Sequence, residues 1–100
     1  MKKYLIHTHK PPNFIIEDVM TVVKSRHTGK EIVILDDYSY YLKRTCKHKN
    51  LSDWYCSTNH SKGCNAKLKL NDDHDIIEIA DQHNHPPTKY CIEDGFYVKL

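Results

Sequence analysis

The sequence predicts an all-β fold, a small antiparallel sheet of four to six strands laid down as a meander. Three observations predict it. Short runs rich in β-branched and aromatic residues recur along the chain, among them Ile32–Leu35, Tyr38–Thr45 and Ile76–Ala80. Clusters of Asp, Asn, Ser and Gly separate those runs, and these residues favour turns because they tolerate left-handed backbone or bond to their own main chain. No stretch carries the apolar period of an amphipathic helix, and no segment repeats.

One hundred residues, 39% of them hydrophobic, make one domain with a small core. Domains of this size are often marginal unless something staples them. No apolar run approaches the ~20 residues of a membrane span. Met1–His7 has basic residues but no sustained apolar stretch behind them, so neither an export signal nor a membrane partner is expected. Four cysteines and eight histidines in such a chain favour metal binding over disulfides.

The elements follow in order. Residues 1–19, with Lys10-Pro11-Pro12-Asn13 in their middle, read as an extended arm. Thr21-Val22-Val23 begins the first strand, and Ser25–Lys30 is a turn. Ile32–Leu35 is a continuous β-branched run, as expected of a strand covered on both faces or too short to alternate. Asp36-Asp37 makes a tight turn. In the next strand Tyr38, Tyr40 and Leu42 point one way, and Ser39, Tyr41 and Lys43 the other. Lys47–Asn50 is a loop, Asp53–Cys56 a strand, and Ser57–Gly63 a polar loop. Asn65–Leu70 alternates, Asn71–Asp75 turns, and Ile76–Ala80 is expected to run on toward His83 until Pro86-Pro87 stop it. Residues 88–100 read as a tail in which Phe96–Leu100 can add a strand.

Four residues of one chemistry lie along this frame. Cys56 follows Trp54-Tyr55, Cys64 comes after seven intervening residues, and His83-Asn84-His85 after a further eighteen. Two thiols and two imidazoles are the ligand set of a closed, structural tetrahedral zinc site. Strand parity puts Cys56 in phase with Trp54, Cys64 with Ala66, Leu68 and Leu70, and the histidines with Ile77 and Ile79 if their strand continues. The four ligands are therefore expected on the core side, at one end of the sheet. One residue between the histidines places both imidazoles on one face of extended chain, whereas a finger helix needs three or more between its pair. Cys46, His48 and His60 share the chemistry. A Cys56-x3-His60-x3-Cys64 site would need a helix, which Ser57, Thr58, Asn59 and Gly63 disfavour. Cys46 reads as an ordinary small packed residue or as one exposed at a strand end, and Cys91 as a free thiol.

At this point the chain resembles the FLYWCH-type zinc finger. Its pattern is an aromatic, a Leu, a second aromatic, W-x-C, a second Cys and H-x-H. Trp54-Tyr55-Cys56, Cys64 and His83-Asn84-His85 match it in spacing, Leu35 matches the Leu, and Tyr40 or Tyr41 the second aromatic. Gly63-Cys64-Asn65-Ala66 resembles the family's Gly-Cys-x-Ala. The first aromatic is replaced by Val22 or Val23, and Asp37 stands where a Gly is usual. The resemblance covers residues 20–87. It implies a zinc-bearing antiparallel sheet related to the WRKY and GCM zinc folds, acting as a nuclear DNA-binding or protein-binding module in transcription or chromatin regulation. Such modules occur in insect chromatin proteins with a BTB domain.

The charges bear on what such a module would touch. Residues 41–70 carry a net +6 and residues 71–100 a net −5, within an overall +2. Tyr41, Lys43, Tyr55, Lys67 and Lys69, with Arg44 beside them, form the expected nucleic-acid surface, since aromatics interleaved with cations suit bases and phosphates. The alternative is a protein partner in a chromatin complex. An enzyme is not expected: the ligand set leaves no open position for water, no nucleophile has a recognisable base, and no glycine-rich phosphate loop or small-molecule site is evident.

Overall fold

A computed structural model describes residues 2–5, 19–80 and 82–100. Among them nine strands and one short helix follow in sequence: β1 (Lys2–Leu5), β2 (Val19–Ser25), β3 (Glu31–Leu35), β4 (Tyr38–Cys46), β5 (Leu51–Cys56), α1 (Asn59–Lys62), β6 (Lys67–Asn71), β7 (Ile76–Ala80), β8 (Tyr90–Glu93) and β9 (Phe96–Lys99). Strands β2 to β7 form the expected antiparallel meander, each pairing with the next. The sheet order is β7-β6-β5-β4-β3-β2-β9-β8, with β1 also on β2. The sheet has nine strands where four to six are expected. The surplus comes from β1, within residues 1–19, and from β8 and β9, within residues 88–100. The arm's Lys10–Phe14 stretch lies outside the described residues.

Turn chemistry accounts for the hairpins. Asp36 and Asp37 both adopt left-handed backbone, φ 51° and 66°, the geometry of a two-residue turn whose twist matches the flanking strands. Asp94 and Gly95 do the same at 52° and 80°. That Asp-Gly pair between Tyr90–Glu93 and Phe96–Lys99 is a strong hairpin signal, and it makes the tail two strands rather than one. Between β6 and β7 the Asn71 side chain accepts the N–H groups of Asp73 and Asp75 at 3.0 and 2.9 Å, closing the turn.

The β3 run resolves by parity. Val33 and Leu35 enter the main core, while Ile34, flanked by Ile32, packs with Val23 and Tyr97 on the opposite face. Both faces of β3 are covered, so no position is left for a polar residue to alternate. The main core gathers Met20, Val22, Val33, Leu35, Tyr40, Trp54, Leu68 and Leu70, and each fully buried aliphatic contributes on the order of 1.5–3 kcal/mol. Tyr4 on β1 stacks on His74 beyond β6 with ring centroids 4.4 Å apart. Neighbouring strands lie ~4.8 Å apart, so five steps of a flat sheet would separate those strands by roughly 24 Å. The sheet therefore curls strongly, and the core fills its concave side.

Two expectations need correction. Strand β7 ends at Ala80, and its Ile77 and Ile79 are 50% and 44% exposed. A register shift between Lys69 and Leu70 sets Leu70 against Ile76, so Ile76 meets the core instead. The inserted residue lies before Glu78, and Ile79 still stands opposite Leu68. Ile77 and Ile79 are exposed because β7 is the last strand in the sheet order, and the histidines' place cannot be read through them because the strand stops at Ala80. The second correction concerns residues 57–63, expected as loop: Asn59–Lys62 make one helical turn. Lys62 N–H bonds the Thr58 carbonyl at 2.9 Å, and Gly63 ends the turn in left-handed conformation, φ 63°, where glycine has no Cβ penalty.

Candidate metal centre and outer face

Three segments bring the four ligands together. Strand β5 ends on Cys56, and α1 with its Gly63 cap turns the chain so that Cys64 points back toward it. The Cys56 N–H donates to the Ala66 carbonyl at 3.0 Å, holding the two segments in register. The Asn59 amide donates to the Cys64 carbonyl at 2.8 Å. The segment after β7 then lies across this corner, pinned by Asn84 Nδ2 donating to the Lys62 carbonyl at 2.9 Å and Tyr38 Oη donating to the His85 carbonyl at 2.9 Å.

The result is a cluster of Cys56, Cys64, His83 and His85 whose ligand atoms all lie within 4.8 Å of one another. Cys56 Sγ is 3.3 Å from His85 Nε2, and Cys64 Sγ is 3.4 Å from His83 Nδ1. With Zn–S near 2.3 Å and Zn–N near 2.0 Å, tetrahedral ligand atoms stand about 3.3–3.8 Å apart. The donor set and its spacing fit a zinc ion, and the four residues are positioned to bind one. Both cysteines are buried and both histidines half-buried. Cys46 and His60 are exposed, and neither they, His48 nor Cys91 joins the cluster.

The thiols differ in environment. Burial pushes Cys56 above its ordinary value, against the Thr58 hydrogen bonds. Burial also opposes the Cys64 thiolate, but the N–H groups of Ala66 and Asn84 outweigh it and hold that thiol below its ordinary value. Around the imidazoles stand residues that sequence reasoning did not assign to the site. Tyr40 Oη is 2.9 Å from His83 Nε2, Tyr38 stacks on His83 with centroids 3.5 Å apart and planes 6° from parallel, and Thr58 Oγ1 is 2.7 Å from His85 Nε2 and 3.3 Å from Cys56 Sγ. The core-side phase of Tyr38 and Tyr40 is legible in sequence; their ring partners are not. Of the two candidates for the second aromatic, Tyr40 faces the site.

The six expected contact residues share the other face. Pairing aligns Tyr41 with Tyr55 and Tyr55 with Lys67. The β4–β5 register slips between Leu42 and Arg44, which sets Arg44 against Asp53. Simple alternation would send Arg44 inward; the bulge returns it to the outer face. Lys43 Nζ sits 6.0 Å from the Tyr55 ring centroid. Arg44, Tyr55, Lys67 and Lys69 line a shallow depression of about 130 Å³ together with Asp53 and Glu78. Arg44 pairs with Asp53 at 2.6 Å and Lys69 with Glu78 at 3.9 Å, so two of the four cations are locally balanced.

An all-β domain with a Cys2His2 cluster at one end of its sheet belongs to the zinc-finger class. The FLYWCH zinc finger domain matches residues 22–85. The chain belongs to that family, a family of binding domains that is not generally enzymatic, and it is a zinc-binding nucleic-acid or protein-interaction module. No curated protein and no solved structure matches the chain.

Proposed function

We propose that Cys56, Cys64, His83 and His85 hold a structural zinc and that the domain so stabilised binds DNA, in the nucleus, in transcription or chromatin regulation. The observation that carries the DNA reading is the gathering of Tyr41, Lys43, Arg44, Tyr55, Lys67 and Lys69 on one outer surface, opposite the core. Beyond Tyr41, β4 has no β3 neighbour in the register, and residues 42–50 are exposed throughout. This half of the β4–β5 hairpin adds Lys47 and Lys49 to the same end, and a β-ribbon is of a size to enter the major groove. Lysine and arginine contacts to phosphate give affinity that falls steeply with salt.

A second reading, a protein partner without direct DNA readout, is favoured by two observations. Asp53 and Glu78 dilute the basic surface, and Ile77 and Ile79 lie exposed on β7, the last strand in the sheet order. No helix of the described residues is long and apolar enough to cross a membrane. The site's chemistry supports a non-enzymatic role, because two thiolates and two imidazoles complete a tetrahedral shell.

Titration of the zinc-loaded domain against random-sequence duplex DNA at two salt concentrations tests the DNA reading. Salt-sensitive binding, lost in a triple Lys43→Glu, Lys67→Glu, Lys69→Glu variant, is expected. Absence of binding at low salt, or undiminished binding by the triple variant, overturns it in favour of the protein partner.

A further inference from the structure

We propose that Tyr40 is a positioning residue of the metal centre: it commits His83 to the ion through Nδ1, while His85 ligates through Nε2, so the two histidines use opposite ring nitrogens. The inference rests on the four-ligand zinc reading above and adds which atoms bind and what chooses them.

The His85 assignment follows from a group that can only accept. Its Nδ1 lies 2.7 Å from the Pro86 carbonyl oxygen. A carbonyl has no proton, so Nδ1 must carry one and donate it. That leaves the Nε2 lone pair, and Nε2 is the nitrogen facing Cys56 Sγ at 3.3 Å. Thr58 Oγ1 lies near both atoms. Once that lone pair is committed, the Thr58 hydroxyl proton is left the Cys56 thiolate to donate to.

His83 is arranged the other way round. Its Nδ1 faces Cys64 Sγ at 3.4 Å, and its Nε2 faces Tyr40 Oη at 2.9 Å. Tyr38, nearly parallel to the ring at 3.5 Å, fixes the plane of the imidazole. Stacking cannot fix its orientation, because a half-turn about the Cβ–Cγ bond leaves the plane unchanged while moving Nδ1 and Nε2 to the opposite edge. An in-plane hydrogen bond does distinguish the two orientations. Tyr40 is buried, in the middle of the main core, so its hydroxyl is a fixed reference point. The Nε2–H of His83 donates to Tyr40 Oη in one orientation only, and in that orientation Nδ1 turns toward the cysteines. The perpendicular placement of the two imidazoles, 89° at 5.4 Å, brings different ring edges to a common point. Outer partners of this kind orient metal-bound histidines and raise their basicity, and their loss typically lowers metal affinity about 10–100-fold.

The test is long-range nitrogen–proton correlation NMR of the histidine rings in the zinc-loaded protein, paired with chelator competition. Expected are His83 metallated at Nδ1, His85 at Nε2, and a slowly exchanging His83 Nε2–H. In Tyr40→Phe zinc affinity should fall by about 10–100-fold, and the His83 Nε2–H should exchange fast. Leu68→Ala, which loosens the same core and leaves the Tyr40 hydroxyl in place, should weaken zinc binding yet keep the slow proton. Zinc bound through the same nitrogen of both rings, or a Tyr40→Phe protein whose Nε2–H stays protected, overturns this inference and leaves the zinc site standing. A folded protein that takes up no zinc overturns the zinc site and this inference with it.

Discussion

Tyr40 and Tyr41 are neighbours in the chain and opposites in the molecule. Tyr40 faces the concave side, buried, with its hydroxyl on His83. Tyr41 faces the convex side, half-buried, 6.4 Å from Tyr55, and its hydroxyl has no hydrogen-bond partner. The same contrast runs through the whole sheet. On the inner face the polar groups of the metal corner have partners in Thr58, Asn59, Pro86 and the tyrosines. On the outer face charges meet charges in solvent, in arrangements a small rotation would remake. One alternating strand thus supplies a fixed structural interior and an adaptable exterior. The lesson is that a metal centre this small is held by the strand residues around it as much as by its ligands.

If that division is right, substitutions should rank by face. The largest effect is expected from Cys64→Ser. It removes a fully buried ligand, and with it most of a binding energy on the order of 10–16 kcal/mol, so circular dichroism should report an unfolded chain. Next comes Leu68→Ala on the inner face, expected to destabilise by about 2–5 kcal/mol in denaturant melts because the curled sheet cannot collapse around the gap. Its outer-face neighbour Lys67→Ala should shift stability by less than about 0.5 kcal/mol, as surface substitutions do. Equal effects from the two would break the contrast between faces.

Smaller effects probe where the faces communicate. Tyr97 from the C-terminal hairpin donates to Ser39 Oγ at 3.1 Å, and Ser39 Oγ lies 2.7 Å from Ser57 Oγ, one residue from Cys56. Tyr97→Phe should lose about 0.5–1.5 kcal/mol, the usual net worth of one hydrogen bond. Arg26 holds the tip of the same hairpin through Glu93 and Asp94 at 3.4 and 3.3 Å. Because these pairs are exposed, Arg26→Ala should change stability by no more than about 1 kcal/mol, and less still at high salt.

Much of this organisation is legible in the sequence because it depends on short-range periodicity and on ligand chemistry. Cys56 and Cys64 share a phase with Trp54, Leu68 and Leu70, and the structure buries all of them. What escaped the sequence depends on single inserted residues and on distance. The bulge in β4 reverses parity and carries Arg44 outward, and the place of β7 at the end of the sheet order leaves Ile77 and Ile79 exposed although Ile79 stands opposite Leu68. The one-turn helix before Cys64 is too short for propensity to announce; it is held by the local Asn59 bond to the Cys64 carbonyl and by Asn84, from across the fold, on the Lys62 carbonyl. The Asp94-Gly95 turn was readable as a hairpin, but the parallel pairing of β9 with β2 joins residues some seventy positions apart, which no local pattern encodes. Likewise Tyr38 and Tyr40 could be placed on the inner face, but their rings meet His83 only through the fold.

Metal content and fold, followed together as zinc is withdrawn, test the central claim most directly. About one zinc per chain is expected by elemental analysis of freshly purified protein. A chelator, or acid that protonates the thiolates and imidazoles, should remove it and abolish the circular dichroism of the sheet in the same step. Returning zinc at neutral pH should restore both. A metal-free preparation whose sheet signal and melting are unchanged would contradict the account.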